Sequence, residues 1–119
     1  MEHRWGHRRQ INKPVRLTLS DGRMARGRLC NLSVTGAWIA SSVRGKPSQW
    51  VEVHFTRVYE SRRTAACVPG MIVRTAPSGF AVEWFDFAPG PVLTLLGQSR
   101  VRDLRKRGYG LLNLRSGEG

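Results

Sequence analysis

Two short segments of the chain carry residue types that could bind an anionic, planar ligand. The first segment places Arg4 and Arg8 four residues apart, and the second places Asn31, Ser33 and Gly36 within six residues. A guanidinium group carries a permanent charge and five fixed donors, so it can grip a phosphate or stack on a flat ring. The amide and hydroxyl add donors and acceptors for the edge of a base such as guanine. The glycine permits a positive φ or a close approach of the ligand to the backbone.

Either segment taken alone is common by chance. Seventeen of the 119 residues are arginine, so two arginines at this spacing are expected in many such chains. Asn31 and Ser33 are also typical of an ordinary turn between strands, in which side-chain oxygens bond to nearby backbone. The triplet at residues 31–33 matches a glycosylation acceptor, which we dismiss because the chain starts without a secretory signal. The two segments therefore indicate a ligand site only in combination with the elements around them.

Alternating apolar residues predict a series of short antiparallel strands. Val15, Leu17 and Leu19 alternate with polar residues, and the Asp21-Gly22 pair that follows predicts a type I′ hairpin turn. Further strands are predicted at residues 24–32, 37–40, 50–55, 65–74 and 79–87, with a loop at 41–49 and a bulge or a long hairpin loop at 56–64. Short strands at this spacing are typical of a closed or nearly closed barrel, which we predict over residues 13–88.

The two ends of the chain lack this alternation. Residues 1–12 are rich in arginine and histidine without periodicity, which predicts a flexible N-terminal arm. Pro91 suits a first helical turn, and apolar residues then recur at helical spacing, so a helix is predicted over residues 90–107. Residues 108–119 are interpreted as a tail. The whole chain is therefore predicted to be one mainly β domain with a C-terminal helix.

The composition limits which classes of protein and of partner are possible. Lysine and arginine number 20 against 8 acidic residues, and the net charge of +12 predicts an anionic partner. A GC-rich genome would also raise the arginine content, and this explanation stays open. No run of 18 apolar residues is present, so no membrane span is expected. Cys30 and Cys67 are interpreted as reduced core residues of a cytoplasmic protein.

No catalytic or metal-binding pattern is evident. The sequence has no nucleophile–base pair, carboxylate dyad or G-x-x-x-x-G-K loop, so we expect neither enzymatic activity nor a cofactor. Trp5 could cover a bound base or dock on the barrel, and both interpretations stay open. The histidines are interpreted as incidental surface residues: His3, His7 and His54. The remaining tryptophans are interpreted mainly as barrel packing: Trp38, Trp50 and Trp84.

The order and spacing of these features resemble the PilZ domain, whose pattern is R-x-x-x-R followed some two dozen residues later by [D/N]-x-S-x-x-G. Here Asn31 follows Arg8 by 23 residues, with a strand, a hairpin and a second strand between them. Residues 69–74 and 79–84 also look like the closing strand pair of that family, so the resemblance covers roughly residues 4–96. It implies a six-stranded antiparallel barrel with a C-terminal helix that binds cyclic di-GMP on its outer surface.

The resemblance also implies a role for each matched residue. Arg4 and Arg8 would fold over the ligand, and a platform beneath one guanine would be formed by Asn31, Ser33 and Gly36. Asn31 stands where many members have aspartate, and its neutral amide cannot form a charged acceptor pair with guanine, which would lower the affinity. Two further ligand contacts are expected from their positions: Arg9 and Arg74.

The sequence thus predicts a cyclic di-GMP receptor whose N-terminal arm becomes ordered on binding and which signals by contact with an unidentified protein partner. One alternative is a PilZ-like adaptor of pilus or motility machinery that works by protein contact without a ligand. The other is a small basic barrel that binds nucleic acid. We disfavour it because the predicted strands lack an evident row of exposed aromatic residues for base stacking.

Overall fold

The computed structural model describes residues 8–97, apart from the side chain of Tyr59. The strands are β1 (Arg9–Leu19), β2 (Met24–Leu32), β3 (Gly36–Ala40), β4 (Trp50–Tyr59), β5 (Arg62–Ala76) and β6 (Gly79–Trp84). They form a closed antiparallel barrel in the order β1-β2-β3-β6-β5-β4, with β4 also pairing with β1. A helix, α1, covers residues 90–97, and residues 98–107 of the predicted helix lie outside the described part. The predicted six-stranded barrel with a C-terminal helix is confirmed.

The inward face of each strand builds one hydrophobic core. Val15, Leu17 and Leu19 are at most 4% exposed, as their alternation predicts. Val92 and Leu95 of α1 join the same buried cluster, so the helix packs on the barrel through an apolar stripe. Burying each such side chain contributes about 1.5–3 kcal/mol to folding. Among residues 8–97, no helix has the length and apolar character that crossing a bilayer requires.

The first strand begins earlier than the sequence predicts. β1 starts at Arg9, and its first two residues pair with β2 through Arg9–Leu32 and Gln10–Asn31. The pairing then shifts register before Lys13 resumes it opposite Leu29. Exposure alternates regularly along residues 9–15, but of Arg9, Ile11 and Lys13 on the more buried face only Ile11 is apolar. Residues 9–12 therefore lack the apolar alternation that predicts a strand. They lie in the barrel instead.

Residues 56–64 form neither the bulge nor the long hairpin loop that the sequence predicts. β4 and β5 continue through these residues as a paired hairpin that reaches Tyr59 and Arg62. Glu60 and Ser61 make the turn, with φ of 51° and 66°. A two-residue turn with both central φ values positive suits the twist of a hairpin, but it favours Asn and Gly. Glu60 and Ser61 therefore carry no sequence signal for it.

The β1–β2 hairpin lies where the sequence predicts it, but its turn has another form. Gly22 has a φ of 94°, whereas Asp21 does not lie in the positive region. The backbone N–H of Gly22 donates to the carbonyl of Leu19, and the N–H of Leu19 donates to the carbonyl of Arg23. This arrangement is a three-residue loop that ends in a left-handed glycine, not a type I′ turn.

Candidate functional site

Residues 33–36 form a tight corner between β2 and β3, and Ser33 organises it from inside. The Ser33 hydroxyl accepts the backbone N–H groups of Thr35 and Gly36, both at 3.2 Å. The same oxygen lies 3.1 Å from Thr35 Oγ1 and 3.3 Å from the carbonyl oxygen of Gly36. Ser33 is also completely buried. The Ser33 side chain therefore shapes the corner and is closed to solvent, and a ligand contact by Ser33 stays a prediction.

Gly36 is required by the neighbouring strand. A Cβ atom at this position would lie 2.2 Å from the carbonyl oxygen of Val82 and 3.3 Å from Cα of Glu83, both on β6. The backbone of Gly36 does not adopt a positive φ. Gly36 is moreover buried. The expected positive φ is therefore wrong, and the missing side chain lets β3 and β6 approach closely at the corner. A close approach of a ligand to this backbone stays a prediction.

The corner is also tied to the segment that leads into helix α1. Its three consecutive carbonyl groups all accept hydrogen bonds from residues 84–88. Trp84 donates its ring Nε1–H to Ser33 at 3.2 Å and its backbone N–H to Thr35 at 3.0 Å. The backbone N–H of Ala88 donates to Val34 at 2.9 Å. A displacement of the corner would therefore also displace Ala88, two residues before α1 begins. Trp84 is 7% exposed, which confirms its interpretation as packing.

Five residues in register across neighbouring strands form what we call the outer row. The register pairs each one with the next: Gln10, Asn31, Trp38, Ala81 and Arg74, on β1, β2, β3, β6 and β5. Directly paired residues project from the same face of a sheet. The chain neighbours of Trp38, Ala37 and Ile39, are at most 1% exposed and face the core. Trp38 and the rest of the outer row therefore face outward.

The outer row places Asn31 and Arg74 on the outer surface of the barrel, and a shared ligand contact stays a prediction. Along the curved sheet they are three strand spacings apart, about 14 Å. Trp38 and Ala81 lie between them, and Ala81 is only 5% exposed, so it is covered although it faces outward. The interpretation of Trp38 as barrel packing is wrong, because it is only half-buried and faces outward. The alternation of Trp38 with the apolar residues Ala37 and Ile39 is the signal that could have shown that Trp38 faces outward.

The N-terminal arginines differ in where they lie. Arg8 is exposed and directly precedes β1. Since Arg9 is opposite Leu32, Arg8 stands beside the corner at Ser33. Arg9 is half-buried and alternates with Gln10, so it lies on the other face of β1 from the outer row. Arg4 lies outside the described residues. The structure thus brings Arg8 to the corner and turns Arg9 away from Asn31.

The charges on this face favour an anion with a polar, flat part. Arg8 and Arg74 are exposed at opposite ends of it. Glu83 is also exposed and lies in register with Gly36, so a carboxylate stands next to the corner. A phosphate would be repelled near Glu83 and attracted toward either arginine. Acceptor groups, in contrast, favour the N–H edge of a base near the corner.

Exposed aromatic residues are present elsewhere on the barrel. Trp50 is 61% exposed and Phe85 is 43% exposed, so the interpretation of Trp50 as packing is wrong. Their rings lie 4.9 Å apart at an angle of 66°, in an edge-to-face contact. The sequence predicts strands without a row of exposed aromatic residues, and Trp50 is one exposed ring on β4. The two rings pack on each other, however, and do not form a row along successive strands.

The two cysteines are not core residues. Cys30 is half-buried and Cys67 is exposed, and neither forms a disulfide. Cys30 lies where the β2–β3 register shifts, which turns it out of the regular alternation. Desolvation of the sulfur, and then the negative charge of Glu52, raise the pKa of the Cys67 thiol. The short apolar neighbours of both cysteines predict burial. Both side chains lie on the outward face of their strand, however, and are therefore more exposed than predicted.

Comparisons with known proteins point to one family. The sequence model of the PilZ domain matches residues 2–99 of this chain. Among solved structures, the crystal structure of the PilZ domain of CeSA from a cellulose-synthesizing bacterium has a similar fold, with a TM-score of 0.59 and 20% sequence identity. The match covers 76% of this chain and 91% of that one. No curated protein matches the chain.

Proposed function

The chain belongs to the PilZ domain family, and on this basis we propose that it is a cyclic di-GMP receptor that passes its signal to another protein by contact. The observation that carries the proposal is the outer row. It joins Asn31 of the family motif to Arg74 across Trp38, and Arg8 lies beside the same corner. PilZ domains are binding and adaptor domains, and the proposal includes no catalytic step.

In this proposal each part of the ligand has its own partners. Arg8, with Arg4 from the preceding segment, binds phosphate, and the Asn31 amide bonds to the edge of a guanine. Trp38 offers a flat surface for stacking a base, a contact that contributes about 1–3 kcal/mol. Arg74 holds the far side of the dinucleotide. Ser33 and Gly36 act indirectly, by fixing the shape of the corner.

The free energy of ligand binding requires the preformed surface of Asn31, Trp38 and Arg74 in addition to the arm. A hydrogen bond to a charged group contributes about 1.5–3 kcal/mol, whereas ordering each backbone residue of an arm costs about 1–2 kcal/mol. Ordering several residues before Arg8 therefore offsets most of what two arginines contribute. The surplus has to come from Asn31, Trp38 and Arg74, which are held on strands and need no ordering. Arm closure then gives a ligand-dependent surface.

The hydrogen bonds behind the corner offer a route to a partner. The corner carbonyls accept from Trp84 and Ala88, directly before α1. We propose that a bound ligand changes the surface formed by the arm and α1, and that the protein partner recognises this change. The free thiols of Cys30 and Cys67 suit a reducing compartment, so the proposal includes a cytoplasmic location.

Calorimetric titration with cyclic di-GMP tests the proposal, with GTP and single-stranded DNA as control ligands. Saturable binding of cyclic di-GMP alone is expected. Arg8→Ala should weaken it roughly 10- to 150-fold, the loss of one charge-assisted bond. Arg44→Ala is the matched control, because Arg44 is equally charged and exposed but lies in the loop at residues 41–49. Equal losses in both variants would mean that only net charge matters.

Two other outcomes would replace the proposal. A folded protein that gives no heat with cyclic di-GMP would favour the alternative of an adaptor that acts by protein contact without a ligand. Steeply salt-dependent binding of random DNA, without competition by cyclic di-GMP, would favour a nucleic-acid-binding barrel.

A further inference from the structure

A second cluster of functional groups lies on the outer surface of β4 and β5, away from the motif. Glu52 and His54 alternate on β4 with Val51 and Val53, which are at most 1% exposed and face the core. Glu52 and His54 therefore project outward. Cys67 is the direct partner of His54 on β5 and projects from the same face. A carboxylate, an imidazole and a thiol thus share one patch that the proposed ligand site does not use.

The spacing of these groups suits a small metal ion. The ligand atoms of Glu52, His54 and Cys67 all lie within 4.8 Å of one another. Glu52 Oε1 is 3.3 Å from His54 Nε2. With zinc bonds of about 2.0–2.2 Å to oxygen and nitrogen, two ligand atoms of a tetrahedral site are separated by about 3.4 Å. The Glu52–His54 pair already has this separation. The Cys67 sulfur lies within 4.8 Å of both, whereas a zinc–sulfur bond of about 2.3 Å implies a separation of about 3.6 Å, so zinc binding requires an approach of up to about 1 Å.

We propose that Glu52, His54 and Cys67 bind a zinc ion through one oxygen, one nitrogen and one sulfur, with the fourth position open to solvent. The donor set decides the metal. Thiolate and imidazole ligands suit zinc, whereas magnesium and calcium require oxygen ligands. Three protein ligands with one open position are the usual arrangement of an accessible zinc site.

The charges around the patch are compatible with a bound zinc ion. Zinc with one thiolate and one carboxylate is neutral overall, so Arg16, which lies opposite His54 on β1, is not repelled. Without a cation, a thiolate at Cys67 would face the carboxylate of Glu52 unfavourably. Thr18, opposite Glu52, has its hydroxyl 3.4 Å from His54 Nε2, which is long for a hydrogen bond. The imidazole nitrogen is therefore not held by a strong competing bond.

Titration of the reduced full chain with cobalt(II) and then zinc tests the site. Cobalt bound at Cys67 gives a thiolate-to-metal charge-transfer band, and zinc should bind with one ion per chain and bleach it. Cys67→Ser should abolish the band and lower zinc affinity at least about 100-fold, since even outer-shell partners of zinc ligands contribute 10- to 100-fold. Cys30→Ser is the matched control and should keep both, because Cys30 lies on β2.

Two further measurements separate this site from other metal-binding groups. His54→Gln should weaken zinc binding, whereas the double variant His3→Gln, His7→Gln should not. In the unmodified protein, zinc should protect Cys67 from alkylation, read by mass spectrometry, and leave Cys30 as reactive as before. The proposal is overturned if cobalt gives no thiolate band, or if zinc affinity survives Cys67→Ser. Neither result depends on cyclic di-GMP.

Discussion

The Gly36→Ala substitution tests whether the corner is built by close packing of two strands. The added Cβ would lie 2.2 Å from the Val82 carbonyl oxygen, and real Cβ contacts are essentially never under 3.0 Å. β3 and β6 must therefore separate locally by about 0.8 Å, the difference between these two distances. Overpacking of this kind costs about 1–3 kcal/mol, and a ladder hydrogen bond that is lost costs about 0.5–1.5 kcal/mol. The free energy of unfolding should fall by about 2–4 kcal/mol.

Urea unfolding measures this change, and calorimetry with cyclic di-GMP measures its effect on binding. Binding should weaken although Gly36 is buried. Gly90→Ala is the control, because its Cβ would meet nothing within 4 Å and its φ is not positive. Its unfolding free energy should change by no more than about 0.5 kcal/mol. A Gly36→Ala protein as stable as this control would refute the close-packing argument.

Three other predictions concern single groups. Arg8→Ala should weaken cyclic di-GMP binding in calorimetry without changing unfolding in urea, because Arg8 is exposed before β1; a change in stability would contradict this. Ser33→Ala leaves two N–H groups at the corner without their acceptor, and should lower the unfolding free energy by about 1–3 kcal/mol; an unchanged urea midpoint would exclude that role. Hydrogen bonds from Arg23 are the main cause that lowers the pKa of Asp21 from 3.8 to about 2. The contribution of Asp21 is therefore complete above its unfolded pKa and is lost as the pH falls through about 2. Between pH 3.8 and about 2, the thermal unfolding of Asp21→Asn should depend less on pH than that of the unmodified protein. An equal dependence would show that other groups control acid stability.

The barrel could be predicted because burial leaves a simple pattern in the sequence. Val15, Leu17 and Leu19 alternate on β1, and all three face the core. The pattern fails where the inward face is polar or the register shifts. Residues 9–12 pair with β2, but only Ile11 among them is apolar, so no apolar alternation marks this part of the strand. The outward position of Cys30 cannot be derived because the β2–β3 register shifts there.

The sequence indicates which residue types could form a site, but not what each side chain contacts. Residue type indicates what a side chain can bond to, but not which partner is nearest. Ser33 bonds to its own turn, and Gly36 makes room for Val82. Alternation could show that Trp38 faces outward, but its place between Asn31 and Ala81 depends on three strands that lie next to one another only in the barrel.

The most direct test of the account is a titration of the ¹⁵N-labelled protein with cyclic di-GMP, followed by nuclear magnetic resonance. The Trp38 ring N–H and the Asn31 side-chain amide should shift together and saturate. The ring N–H of Trp50, which lies on β4 three strands from Trp38 in the barrel, should move little. Shifts that are absent at Trp38 and Asn31, or that are confined to Trp50, would contradict ligand binding at the outer row.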